Sequence, residues 1–228
     1  IPIFYYIYIW TILYIWRTSL LKLMDLLTEG IQDKGIFKAV FMAGGPGSGK
    51  TFMAKNIFGI PDFKKGGGAR VSVSGLKVVN SDTHFMKLLK KFGFDPTELA
   101  TYPDDVFTRL GAPMSKGGSG LRDMAQLFNK IEKQGYMDGK LGMIIDSTGS
   151  DFKKVKIKKK ILEDAGYDTY MVFVMTSLET AQKRNKLRAE KGERELPEKL
   201  VAKSWKATRR NLGGLKALFG SSTFALVN

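Results

Sequence analysis

Eight consecutive residues, Gly44 to Thr51, carry the strongest chemical signal in the sequence. They read Gly-Gly-Pro-Gly-Ser-Gly-Lys-Thr, which fits the pattern G-x-x-x-x-G-K-S/T, and they directly follow an apolar run at 36–43. Glycines permit turns in which successive backbone N–H groups point at one phosphate group, because no Cβ blocks them. The segment after the loop predicts a helix, whose positive amino-terminal end favours the same anion. The pattern therefore predicts a nucleotide-phosphate site.

Two side chains at the end of this loop have separate expected roles. We expect Lys50 to reach the β- and γ-phosphates of ATP, and Thr51 to place its hydroxyl on Mg²⁺. The alternative is a glycine-rich turn between a strand and a helix that binds no ligand. The residues expected to bind ATP are Gly44, Gly45, Pro46, Gly47, Ser48, Gly49, Lys50 and Thr51.

An aspartate, Asp82, follows the apolar segment 76–80. At the carboxyl end of a strand such a carboxylate faces the γ-phosphate of a nucleotide held by the loop. Asp82 is therefore predicted to be the general base that accepts a proton from an attacking hydroxyl. In the alternative interpretation, Ser81 or Asp82 only caps a helix that begins at Thr83.

A second aspartate, Asp146, ends the apolar run 141–145. It is predicted to hold Mg²⁺ together with Thr51, or to bind substrate together with Thr148. The alternative is a simple turn at the end of a strand. Ser147 follows Asp146 where ATP-hydrolysing motors carry a glutamate, so a motor or helicase is disfavoured.

Arginines on a predicted helix at 178–190 form the third group. Arg184 and Arg188, with Arg194 beyond them, are expected to lie on a lid of about residues 183–197 that closes over the nucleotide and stabilises charge on the transferred phosphoryl group. The alternative is a solvated helix with spare charges. His84, the only histidine, is predicted to be structural rather than catalytic.

Composition limits the function classes further. The chain has 228 residues, no cysteine and a formal net charge of +15, with dense lysines at 153–160. The missing cysteines exclude disulfides, thiolate metal sites and cysteine nucleophiles, and they are compatible with a cytoplasmic protein. The positive charge favours phosphate-bearing partners, nucleic acid included. The alternative for the lysine run is a solvated helix face.

The first 23 residues differ from the rest of the chain. They are apolar and rich in aromatic residues, too short for a standard membrane span and without the basic start of a signal peptide. One interpretation is that Met24 is the natural start and that residues 1–23 are not native; the other is a membrane anchor. We therefore expect a single domain at 24–228, and membrane association only if residues 1–23 are native.

The segments that must position these side chains alternate between strands and helices, which predicts an α/β fold with a parallel sheet flanked by helices. Strands are predicted at 36–43, 76–80, 141–145, 169–175 and 222–227, and helices at 50–58, 83–92, 121–134, 152–165, 178–190 and 197–212. Gly93, Gly135 and Gly166 are predicted to end three of these helices. Lys64–Gly68 and Lys116–Gly120 are predicted to be surface loops.

Taken in order, these motifs resemble the P-loop kinases of the zeta-toxin and polynucleotide 5′-hydroxyl kinase group. The resemblance covers about residues 36–212 and rests on the loop, Asn80-Ser81-Asp82, Ile144-Ile145-Asp146-Ser147-Thr148-Gly149 and the segment from Arg184-Asn185 to Pro197. It implies a three-layer P-loop NTPase-type fold with a helical, arginine-bearing lid. It also implies ATP- and Mg²⁺-dependent phosphorylation of a hydroxyl, with the aspartate at Asp82 as base. Compact, lysine-rich kinases of this kind also occur in large phages.

The resemblance leaves the acceptor open. Members phosphorylate a UDP-amino sugar or a nucleic-acid 5′ end, and this chain lacks an arginine typical of each, having Phe85 and Ser150 at those positions. Arg122 and Asp123 lie roughly where the family contacts its substrate. We therefore predict a phosphotransferase that acts on a hydroxyl of a nucleotide, a nucleotide sugar or a nucleic-acid 5′ end. The alternative is a non-catalytic, nucleotide-gated P-loop protein that binds nucleic acid.

Overall fold

The computed structural model describes residues 36–60, 71–190 and 195–227. The predictions for the extension at 1–23, for the loop Lys64–Gly68 and for Arg194 lie outside these described residues. Within them, no helix is long and apolar enough to cross a membrane.

A five-stranded sheet organises the fold, in the order β2-β3-β1-β4-β5, and every neighbouring pair of its strands is parallel. This confirms the predicted α/β class and the P-loop NTPase-type fold. All five predicted strands are present, with ends within two residues of the predicted ones. They are β1 (Lys38–Ala43), β2 (Lys77–Val79), β3 (Met143–Asp146), β4 (Asp168–Val174) and β5 (Phe224–Val227).

The central strand, β1, is covered on both faces, which makes the domain three layers thick. Ala39 and Phe41 belong to one hydrophobic cluster, whereas Val40 and Met42 belong to a second one on the opposite face, as alternation along a strand requires. An uninterrupted apolar strand is typical of a parallel sheet with helices on both sides.

Eight α-helices surround the sheet in the described part of the chain. They are α1 (Lys50–Phe58), α2 (Ser81–Lys91), α3 (Asp104–Gly111), α4 (Leu121–Asp138), α5 (Phe152–Asp164), α6 (Leu178–Glu190), α7 (Glu198–Arg210) and α8 (Leu212–Phe219). Helices α5 and α8 contribute to the cluster of Phe41, and α1 contributes to the cluster of Val40.

A third hydrophobic cluster lies apart from the two sheet clusters. It joins α2, α3 and α4, and its buried members are Phe85, Leu88, Leu89, Leu99, Leu110, Leu121 and Ala125. Leu89 and Ala125 are completely buried there. We call the segment 81–138 that surrounds this cluster the helical unit.

Two predictions at helix ends were wrong. Helix α2 begins at Ser81, and its cap is neither Ser81 nor Asp82 but Asn80, whose side chain accepts a hydrogen bond from the Asp82 N–H. Gly135 does not end α4, which continues to Asp138. Tyr136 and Met137 pack against the sheet cluster, and this tertiary contact outweighs the low helix propensity of one glycine.

The region after the predicted lid also differs from its prediction. The single helix predicted at 197–212 is two helices, because the helix is interrupted at Asn211, whose side chain donates to the backbone carbonyls of Gly149 and Ser150.

Helix α3 was not predicted at all. In the predicted loop Lys116–Gly120, a short 3₁₀ turn at Met114–Lys116 leads into a segment tied back by Ser119 N–H to the Arg109 carbonyl at 2.8 Å.

Candidate active site

A large cleft runs along the carboxyl edge of the sheet, where open α/β sheets place their ligands. The loop after β1, the first turns of α2 and α4, the loop after β3, and α6 all contribute to its walls. Its volume is about 2070 Å³. Pockets for one small ligand measure roughly 300–1,000 Å³. The cleft therefore has room for a nucleotide and a second molecule beside it.

The loop between β1 and α1 has the shape of an anion cradle. Gly47 has a φ of 74°, and a Cβ there would lie 2.2 Å from the Ala181 carbonyl oxygen. Gly49, with a φ of 99°, is the residue before the first turn of α1 and adopts the left-handed conformation. The first N–H groups of a helix have no partners within that helix. The absence of a side chain at Gly47 lets the loop pass against Ala181, and the first N–H groups of α1 remain available to a phosphate group.

Lys50 lies at the centre of the charged groups of the site. Its Nζ donates hydrogen bonds to the carbonyls of Gly44, at 2.7 Å, and Gly45, at 3.3 Å. Desolvation by burial lowers the pKa of Lys50 from its ordinary value of 10.5; Asp146 and Asp82 act to raise that pKa, and Arg188 acts to lower it. The three charged neighbours therefore surround the lysine closely enough to influence its proton.

One amide, that of Asn80, connects the two predicted aspartates. Its Nδ2 donates to Asp146 Oδ2 at 2.8 Å, while its Oδ1 accepts from the Asp82 backbone N–H at 2.8 Å. Asn80 directly follows β2 and Asp146 ends the neighbouring β3, with Val79 level with Ile145 in the register. Sequence reasoning assigned Asn80 no role, because its partner lies 66 residues away.

Arg122 lies against the predicted base. Its Nη1 forms an ion pair with Asp82 Oδ1 at 2.6 Å, and its guanidinium carbon lies 5.1 Å from the centre of the Phe85 ring. The ring and the carboxylate thus hold one guanidinium from two sides. The predicted substrate contacts Arg122 and Thr148 line the cleft, whereas Asp123 is exposed and lies outside it.

Helix α6 brings the predicted lid arginines to the loop. Arg184 Nη1 donates to the Ser48 carbonyl at 3.2 Å, and Arg188 lines the cleft near Lys50. The completely buried Asn185 between them donates to the Leu196 carbonyl at 2.7 Å and accepts from the Leu196 N–H at 3.2 Å. This pair of hydrogen bonds, which we call the Asn185 clamp, fixes the segment before α7 against α6.

The loop after β3 is held in place from three directions. The Thr148 carbonyl accepts from the Gly44 N–H at 3.1 Å and from the Thr208 hydroxyl at 3.0 Å. Asn211 Nδ2 donates to the carbonyls of Gly149, at 3.0 Å, and Ser150, at 2.9 Å. The break between α7 and α8 thus positions the Ser-Thr-Gly loop beside the anion cradle.

The side-chain oxygens of Thr51 and Asp146 are of the kind that can hold Mg²⁺ bound together with a nucleotide. Thr51 and Asp146 line the same cleft, and the described residues contain no group of three or more acidic or histidine side chains that would hold a metal alone. Mg²⁺ usually takes one or two protein oxygens, with phosphate oxygens and water completing its shell.

His84 has a structural setting. It lies outside the cleft and contacts Glu132 Oε2 through its Nε2 at 3.1 Å. Glu132 Oε1 in turn accepts from the Tyr136 hydroxyl at 2.9 Å. Desolvation and this carboxylate raise the pKa of Tyr136 to about 12. His84 therefore helps to join α2 to α4.

Comparison with known proteins identifies the family and the fold. A family model described as AAA domain matches residues 40–214. No curated protein matches the chain. Among solved structures, the Pnkp1/Rnl/Hen1 RNA repair complex has 16% identity and a TM-score of 0.51, with 79% of this chain covered. AvrRxo1-ORF1:-ORF2 with ATP has 14% identity and a TM-score of 0.50, with 85% covered.

A third solved structure comes from the PezAT toxin-antitoxin system of Streptococcus pneumoniae. It has 15% identity and a TM-score of 0.49, and the match covers 92% of this chain and 74% of that one. The match spans 46% of the RNA repair chain and 55% of the AvrRxo1 chain, so this chain corresponds to about half of each.

Proposed function

Because this chain belongs to the AAA domain family, we propose that it is an ATP- and Mg²⁺-dependent phosphotransferase that moves the γ-phosphate to a hydroxyl group. The acceptor is a nucleotide, a nucleotide sugar or a nucleic-acid 5′ end. The kinase-like P-loop fold and a similarly folded protein solved with ATP support nucleotide binding.

The nucleotide side of the site consists of the cradle and its cations. The loop amides and Lys50 hold the β- and γ-phosphates, and Thr51 and Asp146 hold Mg²⁺, which neutralises phosphate charge when it is bound. Arg184 and Arg188 approach from α6 and stabilise charge on the transferred group. Lys50 must exchange its hydrogen bonds to the loop carbonyls for bonds to phosphate.

On the acceptor side, Asp82 accepts the proton of the attacking hydroxyl. The acceptor oxygen forms a bond to the γ-phosphorus as the bond from that phosphorus to the β–γ bridging oxygen breaks, and ADP leaves with the electron pair. Arg122 orients the Asp82 carboxylate through its hydrogen bond and its stacking on Phe85. Positioning and electrostatics supply most of the rate.

The observation that carries this proposal is the bridge made by Asn80. One amide bonds to Asp146, the proposed metal ligand, and to the backbone of Asp82, the proposed base, beside the cradle that holds Lys50. A site that only bound nucleotide would need the cradle and the metal ligand. The second carboxylate, fixed next to a cleft with spare volume, supports transfer to another molecule.

The test is transfer of labelled γ-phosphate from ATP to candidate acceptors, with wild type and Asp82→Asn compared. General-base catalysis contributes about 10²–10⁴-fold, so the variant should lose at least about a hundredfold in turnover. Its ATP affinity should stay within about twofold, because the proposed phosphate contacts come from the loop amides, Lys50 and the arginines of α6 rather than from Asp82. Asp105→Asn, an exposed aspartate on α3, is the matched control and should behave as wild type. Unchanged turnover in Asp82→Asn would remove Asp82 from this role.

One observation favours a second candidate function, a non-catalytic protein that binds nucleic acid under nucleotide control. Eleven lysine or arginine side chains line the cleft against three aspartates in the described part of the chain. Such a surface attracts polyanions whether or not chemistry follows. This candidate predicts ATP binding and oligonucleotide binding with no labelled product from any acceptor.

A further inference from the structure

Six lysines from three helices line the end of the cleft beyond Asp82. We call them the lysine face: Lys87 and Lys90 of α2, Lys130 and Lys133 of α4, and Lys154 and Lys158 of α5. None of them belongs to the loop Gly44–Thr51 that forms the anion cradle, and none is among the proposed nucleotide contacts. Of the dense lysine run at 153–160, only Lys154 and Lys158 face the cleft, whereas Lys153 and Lys156 are exposed outside it.

The lysines of each helix recur at helical spacing, which shows that whole helix faces converge on the cleft. On α2 the lining positions are 81, 82, 83, 86, 87 and 90, and on α4 they are 122, 126, 129, 130 and 133. Residues three or four apart share one side of a helix. The proposed base and its arginine stand at the start of these two faces, and the lysines continue them away from the sheet.

Charge is poorly compensated at three of these lysines, Lys130, Lys133 and Lys158, whereas Lys154 forms an ion pair with Asp151 Oδ2 at 3.6 Å. Burial lowers the pKa of Lys133, with a further lowering by Lys130; burial also lowers the pKa of Lys158, with Lys133 and Lys154 adding to the effect and Asp151 opposing it. In the described ranges, no carboxylate forms an ion pair with Lys130, Lys133 or Lys158. Lysines gathered in this way lower their mutual repulsion when an anion binds between them.

A polar side chain in the same wall also lacks a partner. Asn129 lies between Arg122 and Lys133 on the cleft side of α4, and its buried Oδ1 has no hydrogen-bond partner among the described residues. Buried amide oxygens are normally satisfied. A hydroxyl or amine of a bound molecule would satisfy this one.

The length of the lysine face fits the row of phosphates of a nucleic-acid strand better than the two phosphates of a nucleotide sugar. From Arg122 to Lys133, α4 rises roughly 16 Å. Nucleotides of one strand stack at about 3.4 Å, so this length corresponds to roughly five nucleotides. A nucleotide sugar carries its two phosphates side by side and would reach only part of the lysine face.

We propose that the lysine face binds the backbone phosphates of a single-stranded nucleic acid whose 5′-hydroxyl lies at Asp82. This inference rests on the proposed function for the place of the hydroxyl. The part of the cleft beyond Asp82 is lined by no aromatic side chain of the described residues. Binding therefore depends on phosphate charge rather than on base stacking, and it tolerates any base sequence.

The experiment measures binding of a 5′-hydroxyl oligothymidylate of about twelve nucleotides by fluorescence anisotropy over a range of salt. The test variant is Lys130→Gln/Lys133→Gln/Lys158→Gln. For single strands the slope of log K against log salt is about −0.7 per phosphate contact. Loss of three contacts should reduce the slope by about two units and the affinity at about 0.1 M salt by roughly a hundredfold.

A matched control carries the same charge change on α2 and α5, two of the three helices that carry the lysine face. Lys91→Gln/Lys153→Gln/Lys156→Gln alters exposed lysines that do not line the cleft. It should keep the wild-type slope to within about half a unit, less than the change expected for one contact. Equal losses in the two variants would mean diffuse attraction to net charge and would overturn the proposal, as would a wild-type protein that binds the oligonucleotide without a salt slope.

Two further measurements separate this inference from the proposed function. Both triple variants should bind ATP like wild type, because the proposed nucleotide contacts include none of the lysines that they replace. Strand binding through the lysine face with no labelled product would overturn the phosphotransferase while the face stands. Transfer to a nucleotide sugar with a KM that the cleft variant leaves unchanged would overturn the face while the phosphotransferase stands.

Discussion

At the residue scale, Lys50 is expected to neutralise phosphate charge, and its own pKa depends on its surroundings in the site. Burial lowers its pKa below 10.5, and the free protein compensates only in part through the loop carbonyls and the two aspartates. Between the lowered pKa and 10.5 the unfolded chain binds more protons at this residue than the folded protein. The contribution of Lys50 to stability therefore rises with pH across that window.

This setting predicts proton uptake when ATP binds at alkaline pH. Triphosphate next to Lys50 raises its pKa again, so binding should take up part of a proton in the window between the lowered pKa and 10.5, and none well below it. Titration calorimetry in two buffers of different ionisation enthalpy measures the uptake. Lys50→Arg stays charged throughout and should show less uptake than wild type. Equal proton counts for the two proteins would contradict the prediction.

The sequence predicts those site residues that belong to local patterns. Lys50 and the glycines of the cradle are recognisable because an anion site between a strand and a helix needs them at fixed spacing. The partners Asn80 with Asp146 and Arg122 with Asp82 are separated by 66 and 40 residues, and only strand register and helix packing bring them together. No pattern in one sequence contains that information.

At the scale of elements, the apolar runs predict all five strands, whereas helix ends depend on contacts that sequence patterns do not contain. Gly135 looks like a stop, but packing of the following turn on the sheet extends α4. Asn211 looks like one more helical residue, but its side chain holds the loop after β3 and the helix is interrupted. In both places a tertiary contact overrides local propensity.

The Asn185 clamp gives a prediction for α6 and the segment that follows it. Asn185→Ala leaves the partly buried N–H and carbonyl of Leu196 without their partner and should reduce the free energy of unfolding by about 1–3 kcal/mol. Because Arg184 and Arg188 flank the clamp, kcat/KM for ATP should also fall. The decrease is roughly tenfold if the transition state loses about 1.4 kcal/mol of stabilisation. Urea denaturation and steady-state kinetics measure the two effects.

The control for this prediction is an asparagine whose amide makes only a surface contact. Asn56→Ala on α1 removes an exposed hydrogen bond to the Phe52 carbonyl and should change stability by less than about 0.5 kcal/mol. If Asn185→Ala changed the free energy of unfolding and kcat/KM as little as Asn56→Ala, the clamp would not be what holds α6 against the segment before α7.

At the scale of the whole molecule, the proposed function has a nucleotide side and an acceptor side, and the hydrophobic clusters divide in a similar way. The sheet clusters support the cradle, and the third cluster supports the helical unit that carries Asp82, Arg122 and four of the six lysines of the lysine face. The volume of the cleft, about 2070 Å³, lies between these two parts. Nucleotide and acceptor are therefore expected to depend on different packing.

A pair of core substitutions tests this division. Leu89→Ala in the third cluster and Ile144→Ala in the sheet each remove a buried aliphatic side chain and should cost about 2–5 kcal/mol of stability. Leu89→Ala should lower phosphoryl transfer while ATP affinity stays within about twofold, whereas Ile144→Ala should weaken both. Calorimetric ATP titration and labelled transfer, at a temperature where both variants are folded, provide the readouts. Equal loss of ATP affinity in both variants would contradict the division.

The independent core of the helical unit also affects how such a protein can diverge. The buried side chains of this unit from Phe85 to Ala125 form a cluster of their own, so they can change as a block without altering the strands beneath the cradle, whereas Tyr136 and Met137 at the end of α4 pack on the sheet. The joints of that block lie at Asn80 and Gly139, the residues that flank α2 and α4. Under the proposed function, sequence changes confined to this block alter the acceptor side of the cleft while the cradle stays the same.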